Sequence, residues 1–180
     1  MVAITKFLWL ALAATTATAA AIVQRDVITV QNDIKQKIGP IWTTLKNDID
    51  AFPNSGSKGE AAIQSGFGDA IVALEGTTAD IKSTGSFGLV SGTTIFADIQ
   101  LLVPTFLSAL VTLVAQKPTW DNIPDGTPSI LWRLQIAEIA MSKFLDAVIA
   151  AEPLLLKPGG FVIKAQMTGA FNTAIAIYSA

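Results

Sequence analysis

Few side chains in this sequence could do acid–base or nucleophilic chemistry. Histidine and cysteine are absent, which removes the commonest general base, the commonest transition-metal ligand and every disulfide or thiolate site. Two aspartate pairs remain, Asp48 with Asp50 and Asp121 with Asp125, and paired carboxylates can support acid–base catalysis. The first pair falls on the polar face of a predicted helix and the second in a turn. Solvated surface acids are therefore the better interpretation of both.

One short motif matches a nucleophile pattern. Ser55-Gly56-Ser57-Lys58 has the form S-x-x-K, which occurs in some acyl-transfer enzymes, but neither S-D-N nor K-T-G follows it. Ser57 and Glu60 instead fit a capping box at a helix start. The sequence contains no G-x-S-x-G elbow, phosphate loop or calcium loop. It therefore predicts no enzymatic activity, no catalytic residue, no metal and no cofactor.

The first residues have the pattern of a secretion signal. Lys6 supplies the positive charge, Phe7 to Ala14 the apolar stretch, and Ala17-Thr18-Ala19 a cleavage site of small residues. We expect residues 1–19 to be removed, with cleavage up to residue 21 also acceptable, leaving residues 20–180 as one domain. The remaining charges are scattered and slightly acidic in balance, so no nucleic-acid partner is predicted.

Apolar residues at helical spacing predict the fold. One ladder has steps of three or four residues, which places every rung on one helix face; it comprises Val27, Val30, Ile34, Ile38, Ile41, Leu45, Ile49 and Phe52. Similar patterns predict helices over about 57–83 and 93–116, a linker over 118–126, a fourth helix capped by Thr127, and a last helix over about 161–178. The sequence thus predicts an all-α bundle of about five amphipathic helices, with kinks at Pro40 and Pro104.

Two of these helices have unusual faces. Residues 99–115 are very apolar, but Thr105, Ser108 and Thr112 on the back face favour an amphipathic helix over a membrane span. No transmembrane segment is therefore expected once the signal is removed. The fourth helix carries, in its first half, a second apolar stripe of Trp132, Ile136 and Ile139. Two apolar faces predict that this helix, at least in its first half, lies at the centre of the bundle.

Aromatic and methionine side chains on inward or nearly inward positions are the candidate lining of an apolar ligand site. Core packing is the simplest interpretation, but irregular helices also leave room for an acyl chain. The candidate lining residues are Phe67, Phe96, Phe106, Leu110, Met141, Phe144, Phe161, Met167 and Phe171. Arg133, Glu138 and Lys164 are candidates for contacting a ligand head group, with a structural ion pair at a helix seam as the alternative.

Several segments together resemble a known family. These are Gln24-Arg25-Asp26, Asp48-Ile49-Asp50-Ala51-Phe52 before a Gly/Ser loop, Ala79-Asp80-Ile81-Lys82, and Ala170-Phe171 to Tyr178. On this layout the chain resembles the fungal hydrophobic surface-binding protein A family, which includes cell-wall galactomannoproteins. The resemblance implies a secreted or wall-associated helical bundle that adsorbs to hydrophobic surfaces or holds fatty acids. It also implies recruitment of secreted esterases to waxy or polyester surfaces.

Two binding mechanisms remain open at this point. In the first, an internal cavity takes an acyl chain, driven by burial of apolar surface. In the second, the exterior of the protein adsorbs to a hydrophobic surface, with Trp42, Trp120 and Trp132 as exposed contacts. A structural cell-wall protein, or a secreted effector that acts on a host protein, is the alternative from another functional class.

Overall fold

The computed structural model describes residues 26–180, so the predicted signal at 1–19 lies outside the described residues. Within that range the chain forms six helices and no strand. They are α1 (26–51), α2 (Gly56–Thr84), α3 (Leu89–Ala115), α4 (Lys117–Trp120), α5 (Gly126–Ala151) and α6 (Lys157–Ser179). The predicted all-α bundle is confirmed. The additional helix is the single turn α4, which lies in the segment predicted as a linker.

The five long helices form a closed ring around one core. α1 packs against α2 and α3, α5 packs against α2 and α6, and α6 closes the ring against α3. Every rung of the predicted α1 ladder is buried except Ile41, which is half-buried. Burying one such aliphatic side chain contributes roughly 1.5–3 kcal/mol. The ladder therefore explains why α1 lies along the core.

α1 contains a π-helical segment, Asp33–Ile38, just before Gly39 and Pro40. The Gly39 N–H donates to the Ile34 carbonyl oxygen, five residues earlier. A proline ring crowds the carbonyl four residues before it in a regular α-helix, and a wider turn relieves that crowding. The irregularity expected at Pro40 thus takes the form of a π-helical segment. Pro104 lies inside α3, which is α-helical on both sides of it.

The predicted capping box at the start of α2 is wrong. The helix begins at Gly56, with Ser55 at the N-cap position and without a side-chain capping hydrogen bond. Glu60 instead accepts a hydrogen bond from Gln64 one turn further along α2. Short polar side chains near a helix start have several local partners, so the sequence pattern alone does not determine which one they use.

The start of α5 also differs from the prediction. The helix begins at Gly126, after Asp125 with a positive φ of 56°. The Thr127 hydroxyl donates to Asp121 Oδ1 at 2.6 Å and does not cap the helix. α3 and α6 each begin four residues earlier than predicted.

The second apolar stripe of α5 faces solvent. Trp132 is 56% exposed and Ile139 is 49% exposed, while Arg133 lies over the Trp132 ring at 5.5 Å from its centroid. In a ring, each helix has two flanking neighbours and one outward face, and α5 packs mainly between α2 and α6. The prediction that this helix lies at the centre of the bundle is therefore wrong.

The outward face of α3 is more apolar than predicted. Leu101 and Val111 are exposed, whereas Thr105, Ser108 and Thr112 are half-buried. By length and composition, α3 is the one helix among the described residues that could cross a membrane. Its opposite face is packed against α1 and α6.

Candidate ligand cavity

A small apolar cavity lies inside the ring, between α1, α3, α5 and α6. It is lined by Ile34, Ile38, Ile99, Leu102, Val103, Phe106, Met141, Phe144, Leu145, Ile163 and Met167. None of these side chains is polar, and all are buried except Leu102, which is half-buried. The cavity volume is about 10 Å³, whereas ligand pockets typically have roughly 300–1,000 Å³. The helices must therefore move apart before a ligand with an acyl chain can enter.

Four of the nine predicted lining residues meet at this cavity: Phe106, Met141, Phe144 and Met167. They come from three helices, so the fold brings together side chains that are far apart in sequence. The seven other lining residues are aliphatic and come from all four helices. The spacing of the α1 ladder identified Ile34 and Ile38 as inward-facing, but it could not separate the part of the core that borders a cavity from the rest.

Phe67 and Phe171 lie beside the cavity in an aromatic cluster around Trp42. Both ring centroids are 6.4 Å from that of Trp42, and the Phe106 centroid is 4.4 Å from it. All three phenylalanine rings are steeply inclined to the indole, a favourable edge-to-face geometry. Phe106 belongs to both groups and so connects the aromatic cluster to the cavity lining.

Two of the three tryptophans predicted as surface contacts are buried. Trp42 is 1% exposed and Trp120 is 0% exposed, with Trp120 stacked on Phe52 at a centroid distance of 4.5 Å. Trp42 follows Ile38 by four residues, so the helical period of α1 already contained the signal for its burial. Trp120 lies on α4, which is too short to show a helical period of apolar residues. Only Trp132 is exposed among the three.

Three other predicted lining residues lie away from the cavity. Leu110 is buried in the core outside the lining set, and Phe96 is half-buried against the start of α6 at Gly159. Phe161 is 57% exposed, so its predicted inward position is wrong. On α6 the inward positions belong instead to Ile163 and Met167.

The three predicted head-group residues do not line the cavity. The Arg133 guanidinium donates to the backbone and side-chain oxygens of Gln64, both at 3.2 Å, and so ties α5 to α2. Lys164 forms an ion pair with Asp146 at 2.6 Å across the α5–α6 seam. Glu138 is half-buried on α5. Lys164 therefore forms a structural ion pair at a helix seam, with Asp146 in the place expected for Glu138, and Arg133 joins two helices by hydrogen bonds to a neutral residue.

A charged pair beside the cavity was missed by the sequence reasoning. Lys35 Nζ lies 3.2 Å from Asp98 Oδ2, which joins α1 to α3. These residues directly follow and precede two lining residues, Ile34 and Ile99. Asp98 is 8% exposed, and its Oδ2 makes no hydrogen bond of normal geometry.

Two further acids are perturbed by their surroundings. On the side of α1 that meets α2, Lys37 pairs with buried Asp33 at 2.5 Å, and a hydrogen bond with Asp33 raises the pKa of Asp80. At the end of the bundle, Glu152 is 3% exposed and neither carboxylate oxygen has a hydrogen-bond partner. Burial raises the pKa of Glu152 to about 7. Its Oε2 lies against the start of α3 at Gly92, where a Cβ atom would collide with it.

The acids first considered for catalysis are separate surface groups. Asp50 pairs with Lys46 on the same helix, and Asp121 pairs with Lys117 at 3.0 Å and accepts from Thr127. Among residues 26–180, no group of three metal-ligating side chains could hold a metal ion. The larger concavity of about 490 Å³ between the end of α2 and α5 is an open surface groove bordered by Lys82 and Lys143. It would not shield an apolar ligand from water.

Comparison with known proteins fits the architecture described above. A ring of five long helices around an apolar interior places the chain in the class of all-α bundle domains. The sequence profile described as hydrophobic surface binding protein A matches residues 12–150, and the chain belongs to this family. A comparison with curated proteins finds no match.

Solved structures share the fold at low sequence identity. Ligand binding domain 1 of the Penicillium marneffei MP1 protein, complexed with arachidonic acids, is 18% identical, with a TM-score of 0.78 over 86% of this chain and 99% of that chain. AFMP4P in complex with palmitic acid is 22% identical, with a TM-score of 0.71 over 89% of this chain and 99% of that one. Domain 2 of MP1, complexed with multiple arachidonic acids, is 13% identical, with a TM-score of 0.75 over 85% and 96%.

Proposed function

We propose that the protein binds long-chain fatty acids, or other ligands with a long apolar chain, in the cavity between α1, α3, α5 and α6, and that it has no enzymatic activity. The observation that carries the proposal is the lining of that cavity, which consists of apolar side chains from four helices. Membership of the hydrophobic surface binding protein A family and the fatty acids named in the similar structures support the same ligand class.

Burial of the acyl chain supplies the driving force. A chain of about sixteen carbons, at ~0.8 kcal/mol per buried CH₂, has roughly 12 kcal/mol of transfer free energy available. Association, ordering and separation of the helices consume several kcal/mol or more, which leaves an affinity in the micromolar to nanomolar range. Met141 and Met167 border the cavity, and flexible thioether side chains can repack around a ligand.

The test compares two identical substitutions on α3. Val103 lines the cavity, whereas Val111 is 69% exposed. Val103→Phe fills the space that the acyl chain needs, so we expect palmitate affinity in calorimetric titration to fall at least about tenfold. Val111→Phe should leave it unchanged. Phe106→Ala is less informative, because it enlarges the cavity while it removes a contact with Trp42.

Charge should matter less than the apolar lining. Arg133→Ala and Lys164→Ala should change palmitate affinity by no more than about fivefold, since neither side chain lines the cavity and a partly exposed charge that reached the ligand would contribute only about 0–1 kcal/mol. Circular dichroism and thermal unfolding establish that each variant is folded. Equal loss in both valine variants, or loss only in the two charge variants, would contradict binding inside the cavity.

Surface adsorption is a second mode that the structure supports. Leu89 and Val90 at the start of α3, and Leu154 and Leu155 before α6, are exposed at the same end of the bundle. The Phe87 N–H donates to the carbonyl oxygen of Ala151 at 2.8 Å, which holds the two segments together. Such a patch could contact a waxy or polyester surface. Recruitment of a secreted esterase would then follow, as the family resemblance implies.

We place the protein outside the cell, free or associated with the cell wall, because residues 1–19 have the pattern of a secretion signal. A structural wall protein or an effector that acts on a host protein remains the alternative. The valine comparison separates these classes, because neither alternative requires the cavity to bind an acyl chain.

A further inference from the structure

We propose that the seam between α1 and α3 is the entrance to the cavity, and that Lys35 binds the carboxylate of the ligand after the ligand displaces Asp98. This inference rests on the proposed function, because it names the entrance and the head-group residue of the same site.

Leu102 marks the entrance. It is the one half-buried member of the cavity lining, so it touches both the cavity and the solvent. Its Cδ2 lies 3.2 Å from the position that a Cβ atom would take at Gly39 on α1. Because Gly39 has no side chain, Leu102 closes the seam here by resting on the α1 backbone. Rotation of this one side chain, with a small separation of the two helices, would open the cavity.

The Lys35–Asp98 pair holds the same seam one turn away. On α1, Lys35 precedes Gly39 by four residues, and on α3, Asp98 precedes Leu102 by four residues. Four residues correspond to about one helical turn. The ion pair and the Leu102–Gly39 contact therefore occupy successive levels of one seam. An incoming carboxylate meets Lys35 at the end of the apolar space that its chain enters.

The geometry of Asp98 does not favour a strong ion pair with Lys35. Its carboxylate is buried, and its contact with Lys35 lacks normal hydrogen-bond geometry. The Lys35 side chain is 54% exposed, so a carboxylate on a flexible ligand can approach it from a better direction. Opening of the seam also hydrates Asp98, which reduces the cost of leaving that carboxylate unpaired. One carboxylate thus replaces another as the partner of Lys35.

Two other lysines near the cavity form ion pairs that do not cross the seam between α1 and α3. Lys37 pairs with Asp33 on α1 itself, and Lys164 pairs with Asp146 across a different seam. Lys35 is the lysine whose ion pair spans α1 and α3. The ligand class that this arrangement recognises is a long apolar chain that ends in a carboxylate, in preference to the neutral alcohol of the same length.

The test measures binding of dodecanoate and 1-dodecanol by calorimetric titration to the wild type and to three variants. Lys35→Ala should weaken dodecanoate binding about two- to fivefold, the range of a partly exposed ion pair. Asp98→Asn removes the internal competitor and should strengthen dodecanoate binding by a similar factor. Because each change also loosens the seam for both ligands, the ratio of dodecanoate to dodecanol affinity is the quantity that should shift by these factors. Lys46→Ala, which breaks an ion pair within α1, should alter neither ligand.

The double variant Lys35→Ala/Asp98→Asn separates competition from structural damage. If Asp98 competes for Lys35, its replacement gives no gain once Lys35 is absent, so the two effects are not additive. Weaker binding of both ligands to Asp98→Asn, or an unchanged ratio of dodecanoate to dodecanol affinity in Lys35→Ala, would overturn the inference while the proposed function stands. Failure of the wild type to bind either ligand would overturn both.

Discussion

Glu152 should control part of the pH dependence of stability. Its pKa is raised from an ordinary 4.5 to about 7 by burial, so the folded protein holds this proton more tightly than the unfolded chain. The associated stability is complete below about pH 4.5 and is lost as the pH rises to about 7. A shift of this size corresponds to about 3 kcal/mol in total, most of which is lost between pH 5 and pH 8.

Glu152→Gln should remove this part of the pH dependence, because the amide does not ionise. Denaturant unfolding at pH 5 and pH 8 measures the difference, and we expect the wild type to lose about 2–3 kcal/mol between them and the variant to lose much less. Glu75→Gln, at an exposed glutamate of α2, is the matched control. The same loss in all three proteins would show that other groups cause the pH dependence.

At the scale of single residues, position along a helix was predictable and partners were not. Trp42 lies in phase with the α1 ladder, so its burial follows from spacing that the sequence contains. Trp120 has no such phase and is buried because Phe52 stacks on it. The partners of Arg133 and Lys35 lie on other helices, and nothing local in the sequence encodes which seam each will meet.

At the scale of elements, the glycines of α2 have different environments. A Cβ atom at Gly66 would lie 3.0 Å from Leu45 Cδ1, whereas Gly68 and Gly76 face open space. Gly68→Ala and Gly76→Ala should each raise the free energy of unfolding by about 0.5–1 kcal/mol, since alanine loses less entropy in a helix. Gly66→Ala should gain less or lose stability, because Leu45 must move.

Urea unfolding of the three alanine variants provides the measurement, with the helical content followed by circular dichroism. The comparison is internal, because all three substitutions lie on one helix and change the same atoms. If Gly66→Ala stabilises α2 as much as the other two, the close approach of α1 to α2 at Leu45 does not limit packing.

The existence of each long helix was predictable because its apolar period continues over many turns. The local hydrogen bonding was not. Pro40 predicted a local disturbance of α1. The apolar spacing continues unchanged past this proline, so it did not indicate that the disturbance would be a π-helical segment, Asp33–Ile38. Helix starts shifted because their polar residues have competing partners, as Thr127 has in Asp121.

At the scale of the whole molecule, the order of helices around the ring determines which side chains share the cavity. Apolar spacing assigns each helix an inward face, but it carries no information about which helices become neighbours. Phe106 and Met167 were therefore recognisable as inward-facing, while their meeting across α3 and α6 required the fold. Phe161 was misplaced because it lies between the buried positions Gly160 and Ile163 of α6 and therefore points away from the core.

The near-closure of the cavity limits how fast a ligand can bind. With a volume of about 10 Å³, the resting cavity is too small for an acyl chain, so in the proposed mechanism binding would wait for a spontaneous opening of the seam at Leu102. The observed association rate should rise with fatty-acid concentration and then level off at the opening rate. Stopped-flow tryptophan fluorescence can follow this, because Trp42 contacts the cavity wall through Phe106. Leu102→Ala should raise the plateau, whereas a rate that keeps rising linearly with ligand concentration would mean that the resting cavity is already open to the ligand.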